Sequence, residues 1–143
     1  CIVGDGPLYD SLAADVADRG LSDQVFLTGF RDDVPNVLAA SDVLVLPSFR
    51  EGTPRVITEA MASGLPVIAT DIAGIPEQVV DGESGYLIPT GDSTALANRM
   101  ETLLADAELR ERMGTRGLER AGRFSVATMV ENLDGLYREL LAE

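Results

Sequence analysis

Short continuous apolar runs alternate along this chain with stretches in which apolar residues recur every third or fourth position. Val43-Leu44-Val45-Leu46 is closed by Pro47, and Val67-Ile68-Ala69 follows Gly64 and Pro66. Runs this short, bounded by Gly and Pro, fit strands of a parallel sheet covered on both faces. Val25-Phe26-Leu27-Thr28, ending at Gly29, and Tyr86-Leu87-Ile88 read as two more strands. Cys1-Ile2-Val3 opens the chain as another. Strands usually run about five or six residues, so this one is expected to begin upstream of Cys1. Between the runs, Leu8, Leu12 and Val16 mark a helix that stops at Arg19 and Gly20, with Pro7 at its first position. Asp33 caps a short helix carrying Val37 and Leu38, another helix runs from Pro54 to Gly64, and Ile75-Pro76-Glu77 starts a helix of one or two turns.

From Asp92 onward the pattern is helical. Leu96, Met100, Leu103 and Leu104 share one face. Val126, Met129, Val130, Leu133, Tyr137, Leu140 and Leu141 form a long apolar stripe behind Ser125, which is placed to cap that helix. Strands alternating with helices through short Gly/Pro-marked links imply right-handed crossovers. The predicted fold class is α/β: one domain over residues 1–143, a Rossmann-like parallel sheet with helices on both faces and a helical C-terminal tail. Ligands of such sheets bind beyond the carboxyl ends of the strands. That rule gathers Gly4–Pro7, Gly29–Arg31, Ser48–Thr53 and Thr70–Gly74 on one expected rim.

The segment Glu51-Gly-Thr-Pro-Arg-Val-Ile-Thr-Glu59 crosses a loop-to-helix junction on that rim. Thr53 is expected as N-cap and Pro54 as the first helical residue, where its missing N–H costs nothing. The N–H groups of Arg55 and Val56 would then point out of a positive helix end that favours a phosphate. At about 1.5 Å per residue, Glu59 lies roughly 7–8 Å farther down the axis. That is close to the separation of a ribose hydroxyl from the distal phosphate of an extended nucleoside diphosphate. Glu51 stays in the loop, where an attached sugar would sit. Other readings stay open at this level: an Arg55–Glu59 helix salt bridge, or Glu51 closing its loop by capping.

Composition narrows the chemistry. The formal charge is −13, with no Lys and no His, which disfavours a nucleic-acid or anionic-membrane surface. Any phosphate must be held locally by helix ends and a few Arg. Without His, the usual general base and metal ligand are gone, and no compact acidic cluster suggests a metal or other cofactor. Cys1 is the only cysteine, consistent with a reducing, cytoplasmic setting.

Several ordered motifs resemble one family: Gly4-Asp5-Gly6-Pro7, Ser41-Asp42-Val43…Pro47-Ser48, Glu51-Gly52…Glu59-Ala60-Met61-Ala62, Gly64-x-Pro66-Val67, Gly74-x-Pro76-Glu77 and Phe124-Ser125. The chain resembles the C-terminal, donor-binding domain of a family 4 glycosyltransferase, a retaining enzyme of the GT-B type. The resemblance implies a nucleotide-sugar donor, with Glu59 on the ribose hydroxyls and Glu51 beside the transferred sugar as the catalytic candidate, nucleophile or sugar-binding group. It places Gly52, Thr53, Pro54, Arg55 and Val56 along the sugar and diphosphate, Phe30 and Arg31 near the base, and Gly6 on the same edge.

The family would supply an acceptor-binding N-terminal domain and a first strand–helix unit, with its diphosphate-binding Arg and Lys, upstream of Cys1. Sugar or lipid-linked acceptors would meet that missing domain, which could hold the enzyme peripherally at the inner membrane. Synthesis of bacterial surface polysaccharide is the implied setting. Alone, the fragment is expected to lack activity and to self-associate. One departure is Pro54, where many members have a second Gly. The alternatives are a GT-B-type sugar-nucleotide epimerase and a non-catalytic nucleotide-binding module.

Overall fold

The computed structural model describes residues 1–142, in two compact units, Cys1–Asn36 and Val37–Glu143. In the first unit, β1 (Ile2–Val3) and β2 (Leu27–Gly29) pair in parallel on either side of α1 (Tyr9–Asp18). α1 starts two residues after Pro7, with Leu8 at its cap position, so Pro7 precedes the helix and does not open it. The reason is a turn in which the Tyr9 N–H donates to Gly6 O at 2.9 Å. No residue of α1 is buried, and Leu8 and Leu12 face solvent. The division between units falls inside α2 (Val34–Ala39).

The second unit is built on β3 (Leu44–Leu46), β4 (Val67–Thr70) and β5 (Gly85–Ile88), in that order and all parallel. The strands therefore fall in two sheets where the sequence suggested one. α3 (Arg55–Ala62) connects β3 to β4, and α4 (Ile75–Gln78) connects β4 to β5. α5 (Ser93–Ala105), α6 (Ala107–Ala121), a 3₁₀ turn (Gly122–Phe124) and α7 (Val126–Ala142) complete the chain.

All four residues of β4 are buried, as a central strand covered on both faces should be. Strand alternation divides its neighbours. Ile68 forms a buried cluster with Ile88, Leu103 of α5 and Met113 of α6, against which Val43, Val45, Tyr86, Ala95, Leu96 and Leu109 pack. Of the face expected on α5, Leu103 is fully buried, while Met100 and Leu104 are exposed. α3 buries Ile57, Ala60 and Met61.

α3 also packs closely on α6 through glycine. A Cβ on Gly114 would lie 1.9 Å from Gly64 O, and one on Gly117 would lie 3.3 Å from Met61 Cγ. Gly64 itself ends α3 with φ +73°, a backbone that other residues adopt with strain.

Candidate functional site

The buried face of α3 fixes where its first turn points. β3 ends at Leu46, and the loop Pro47–Thr53 carries the chain to that turn. The helix begins one residue later than the sequence suggested: Pro54 is the N-cap, with φ −68° and ψ 121°, and no side chain caps the end. Thr53 does not cap because a residue before proline is pushed toward extended conformations, and Pro54 itself keeps an extended ψ. Ile57 N–H turns back to Pro54 O at 3.3 Å. The N–H groups of Arg55 and Val56 find no acceptor among the described residues. Uncapped first-turn donors of this kind are open to an external anion.

Two neighbouring loops brace that end. Gly74 N–H donates to Gly52 O at 3.0 Å. A Cβ on Gly74 would fall 2.7 Å from Gly52 O and 2.9 Å from Thr53 Oγ1, so only glycine permits this approach. The residue before it, Ala73, sits at φ +46°, an uncommon conformation for a residue with a side chain. Thr70 Oγ1, fully buried, donates to Ser48 O at 2.7 Å and ties the ends of β3 and β4 together. The Phe49 ring lies beside Gly91, just beyond β5. Ser48–Thr53, Thr70–Gly74 and Pro89–Gly91 thus form the carboxyl rim of the second unit.

Gln78 was not marked by the sequence reading, yet it fixes the start of α3. It is fully buried in α4, and its Nε2 donates to Pro54 O at 3.1 Å and to Thr58 Oγ1 at 2.9 Å. Its own backbone oxygen accepts from Arg120 Nε at 2.7 Å, and Arg120 Nη2 donates to Glu77 O. Gln78 Oε1 is buried without a partner. A chain of contacts therefore runs from α6 through α4 to the α3 N-terminus. The available signal was a polar residue inside the apolar run Ile75…Val79-Val80.

The acidic pair keeps its carboxylates available. Glu59 Oε1 is 3.6 Å from Arg55 Nη2, beyond hydrogen-bond range, and the Arg55 side chain is 92% exposed. Such a pair contributes about 0.2–0.5 kcal/mol in a helix. Glu51 is half-buried and makes no hydrogen bond or ion pair among the described residues, so loop capping does not account for it. Glu51, Gly52, Thr53, Pro54, Arg55 and Val56 follow one another along this rim, and Glu59 lies one turn into α3.

Gly6, Phe30 and Arg31 belong to the first unit, at the ends of β1 and β2, where Gly4 N–H donates to Gly29 O at 2.8 Å. Gly6 and Phe30 are exposed. Arg31 forms a two-point contact with Asp33, 2.6 Å for each bond. That hydrogen bonding, reinforced by charge attraction, raises the Arg31 pKa and lowers that of Asp33. Among the described residues, no three Cys, Asp or Glu side chains gather as a metal site would require.

Residues 1–120 match the family described as glycosyl transferases group 1. The chain belongs to this family. It is 36% identical over 143 residues to the N-acetyl-alpha-D-glucosaminyl L-malate synthase of Bacillus anthracis, covering 99% of this chain and 38% of that protein. A sucrose-phosphate synthase from Thermosynechococcus elongatus superposes with a TM-score of 0.86 at 33% identity, over 98% of this chain and 38% of that one. HepE from Anabaena, solved in complex with UDP-glucose, gives 0.87 at 32% identity, over 96% and 40%. The chain thus spans well under half the length of these proteins. This glycosyl transferase group 1 chain has the Rossmann-like, GT-B-type α/β arrangement expected from its sequence.

Proposed function

We propose that the rim around the α3 N-terminus holds the nucleotide-sugar donor of a glycosyltransferase. One observation carries the reading: the first-turn N–H groups of Arg55 and Val56 are open, and carboxylates stand on both sides of them. The diphosphate lies over those N–H groups and the helix dipole, which favour the negative charge that grows on the leaving group. Glu59, one turn into α3, accepts from the ribose hydroxyls. Glu51, Gly52 and Thr53 face the transferred sugar. The UDP-glucose in HepE supports this donor class.

The acceptor attacks from the leaving-group face, so the anomeric configuration is retained, and Glu51 stabilises positive charge at the anomeric carbon. The reaction serves bacterial polysaccharide assembly on a sugar or lipid-linked acceptor, with no metal or other cofactor. These are features of the whole protein, in which the rim is half of a cleft that closes and excludes water.

The test is a calorimetric titration with UDP-, GDP- and ADP-sugars. One of the three binds, and Glu59→Ala weakens that binding by about tenfold or more, the value of a hydrogen bond to a charged group. In the whole protein, Glu51→Ala lowers turnover by about 100-fold while donor affinity changes less. Unchanged donor binding in Glu59→Ala defeats the assignment. Full turnover in Glu51→Ala removes Glu51 from the catalytic role.

A further inference from the structure

A basic site lies away from the donor rim. Arg112, Arg116 and Arg120 follow one another at four-residue spacing along α6, and Arg123 stands in the 3₁₀ turn beyond. Opposite them is the turn Val80–Ser84, just before β5, at the amino ends of the strands. Between the two lies a cavity of about 530 Å³ with Leu109 and Met113 in its lining. Four of the eleven arginines in a chain of charge −13 line this one cavity, against two acids among the described residues, Glu83 and Glu119.

Structural duties do not account for all four. Arg120 is engaged by the backbone oxygens of Gln78 and Glu77 and lies over the Phe124 ring. The helix dipole favours a cation in the last turn of α6, where Arg120 sits. It does not favour Arg112, two turns earlier. Like charges four apart disfavour a helix, so the spacing works against α6. Arg116 meets Glu119 at 2.9 Å and Arg112 approaches Glu108 at 3.9 Å, both in solvent-exposed pairs that a stronger anion can displace. Arg123 has no ion pair among the described residues.

We propose that this groove binds a phosphate ester carrying two or more negative charges, with a diphosphate as the fitting head group. Arg112, Arg116 and Arg123 supply planar forks that match phosphate oxygens, and the apolar Leu109–Met113 side takes the carbon portion. The negative chain as a whole repels anions, so binding depends on this local convergence and weakens with salt. The phosphate comes either from a free metabolite or from a lipid head group.

The experiment is an NMR titration of the isotope-labelled chain with inorganic pyrophosphate at constant ionic strength. The amides of Gly82, Ser84 and Met113 are expected to shift. In Arg116→Ala/Arg123→Ala, with its melting temperature unchanged, those shifts require at least about tenfold more pyrophosphate. Shifts at Gly52–Val56 report the donor rim separately, so failure of either site is read without the other. A co-sedimentation arm compares phosphatidylcholine vesicles with and without phosphatidic acid, whose head group is a phosphate monoester. Retention on the anionic vesicles alone, lost in the double variant, assigns the lipid source; pyrophosphate shifts without retention assign the free one. Unmoved Gly82, Ser84 and Met113 amides with no vesicle retention overturn the proposal, as does a double variant that binds like the parent chain.

Discussion

α6 and α7 are neighbours of similar length, 15 and 17 residues, with opposite fates. α6 is the more polar, yet it buries Met113, Gly114, Gly117 and Ala121 against the rest of the second unit. α7 carries the longest apolar stripe in the chain and buries none of it. The apolar count therefore does not rank helices by how firmly they pack. Small residues do so here, because they let α6 approach α3 until backbones almost touch. Gly114 and Gly117, three apart, lie on one face of α6.

The sharpest way to break the comparison is the same change in both helices. Gly114→Ala puts a methyl group 1.9 Å from Gly64 O, a backbone atom that cannot swing away. Separating α6 from α3 is expected to cost about 3 kcal/mol, the upper end of overpacking. Gly135→Ala meets nothing within 4 Å. It is expected to stabilise α7 by about 0.5–1 kcal/mol, because glycine is a poor helix former. Urea unfolding should show the loss in Gly114→Ala and scarcely move in Gly135→Ala, whose gain should appear as slower amide exchange within α7. If Gly114→Ala is neutral, α6 is not the packed helix described.

That contrast also shows what was legible. Apolar runs located β3, β4 and β5, and Gly and Pro marked where helices stopped, as at Gly64. The Glu51–Glu59 spacing singled out the rim because its meaning is local: a loop, a helix start and two carboxylates within nine residues. α6 falls in the stretch expected to be helical from Asp92 onward, yet no comparable apolar signal marks its buried face. Gln78 was invisible for a related reason. Its role comes from partners 24 and 20 residues away, Pro54 and Thr58, which no local pattern displays. Only folding brings α4 against α3. The start of α3 shifted by one residue because ψ at Pro54 depends on how the loop docks, and proline fixes only φ.

The second prediction concerns the link from α6 to the donor rim. Gln78→Leu is close in size but takes the donor from Thr58 Oγ1 and leaves Pro54 O with only the longer bond from Ile57 N–H. A lost partner of this kind costs about 1–3 kcal/mol. The loss is smaller than for Gly114→Ala if the unpartnered Oε1 disappears with it. Donor binding should weaken beyond what global stability explains, since the first turn of α3 loses its anchor. Titration below the onset of unfolding separates the two effects, and unchanged donor affinity would reduce Gln78 to a core residue.

The smallest effects belong to the caps, where the comparison can be made with one kind of side-chain bond. Asp106 Oδ1 accepts from Leu109 N–H at 2.8 Å at the start of α6, and Ser125 Oγ accepts from Thr128 N–H at 3.1 Å at the start of α7. Each cap is worth about 1 kcal/mol to its own helix. α6 is packed, so Asp106→Ala should lower the global unfolding free energy by about that amount. α7 buries no side chain, so Ser125→Ala should instead reduce helicity at residues 126–130 and speed amide exchange there. The global transition should scarcely move. Local opening uncoupled from unfolding is the mark of a helix held mainly by its own backbone. Equal losses of global stability from both variants would mean that α7 is packed in solution after all.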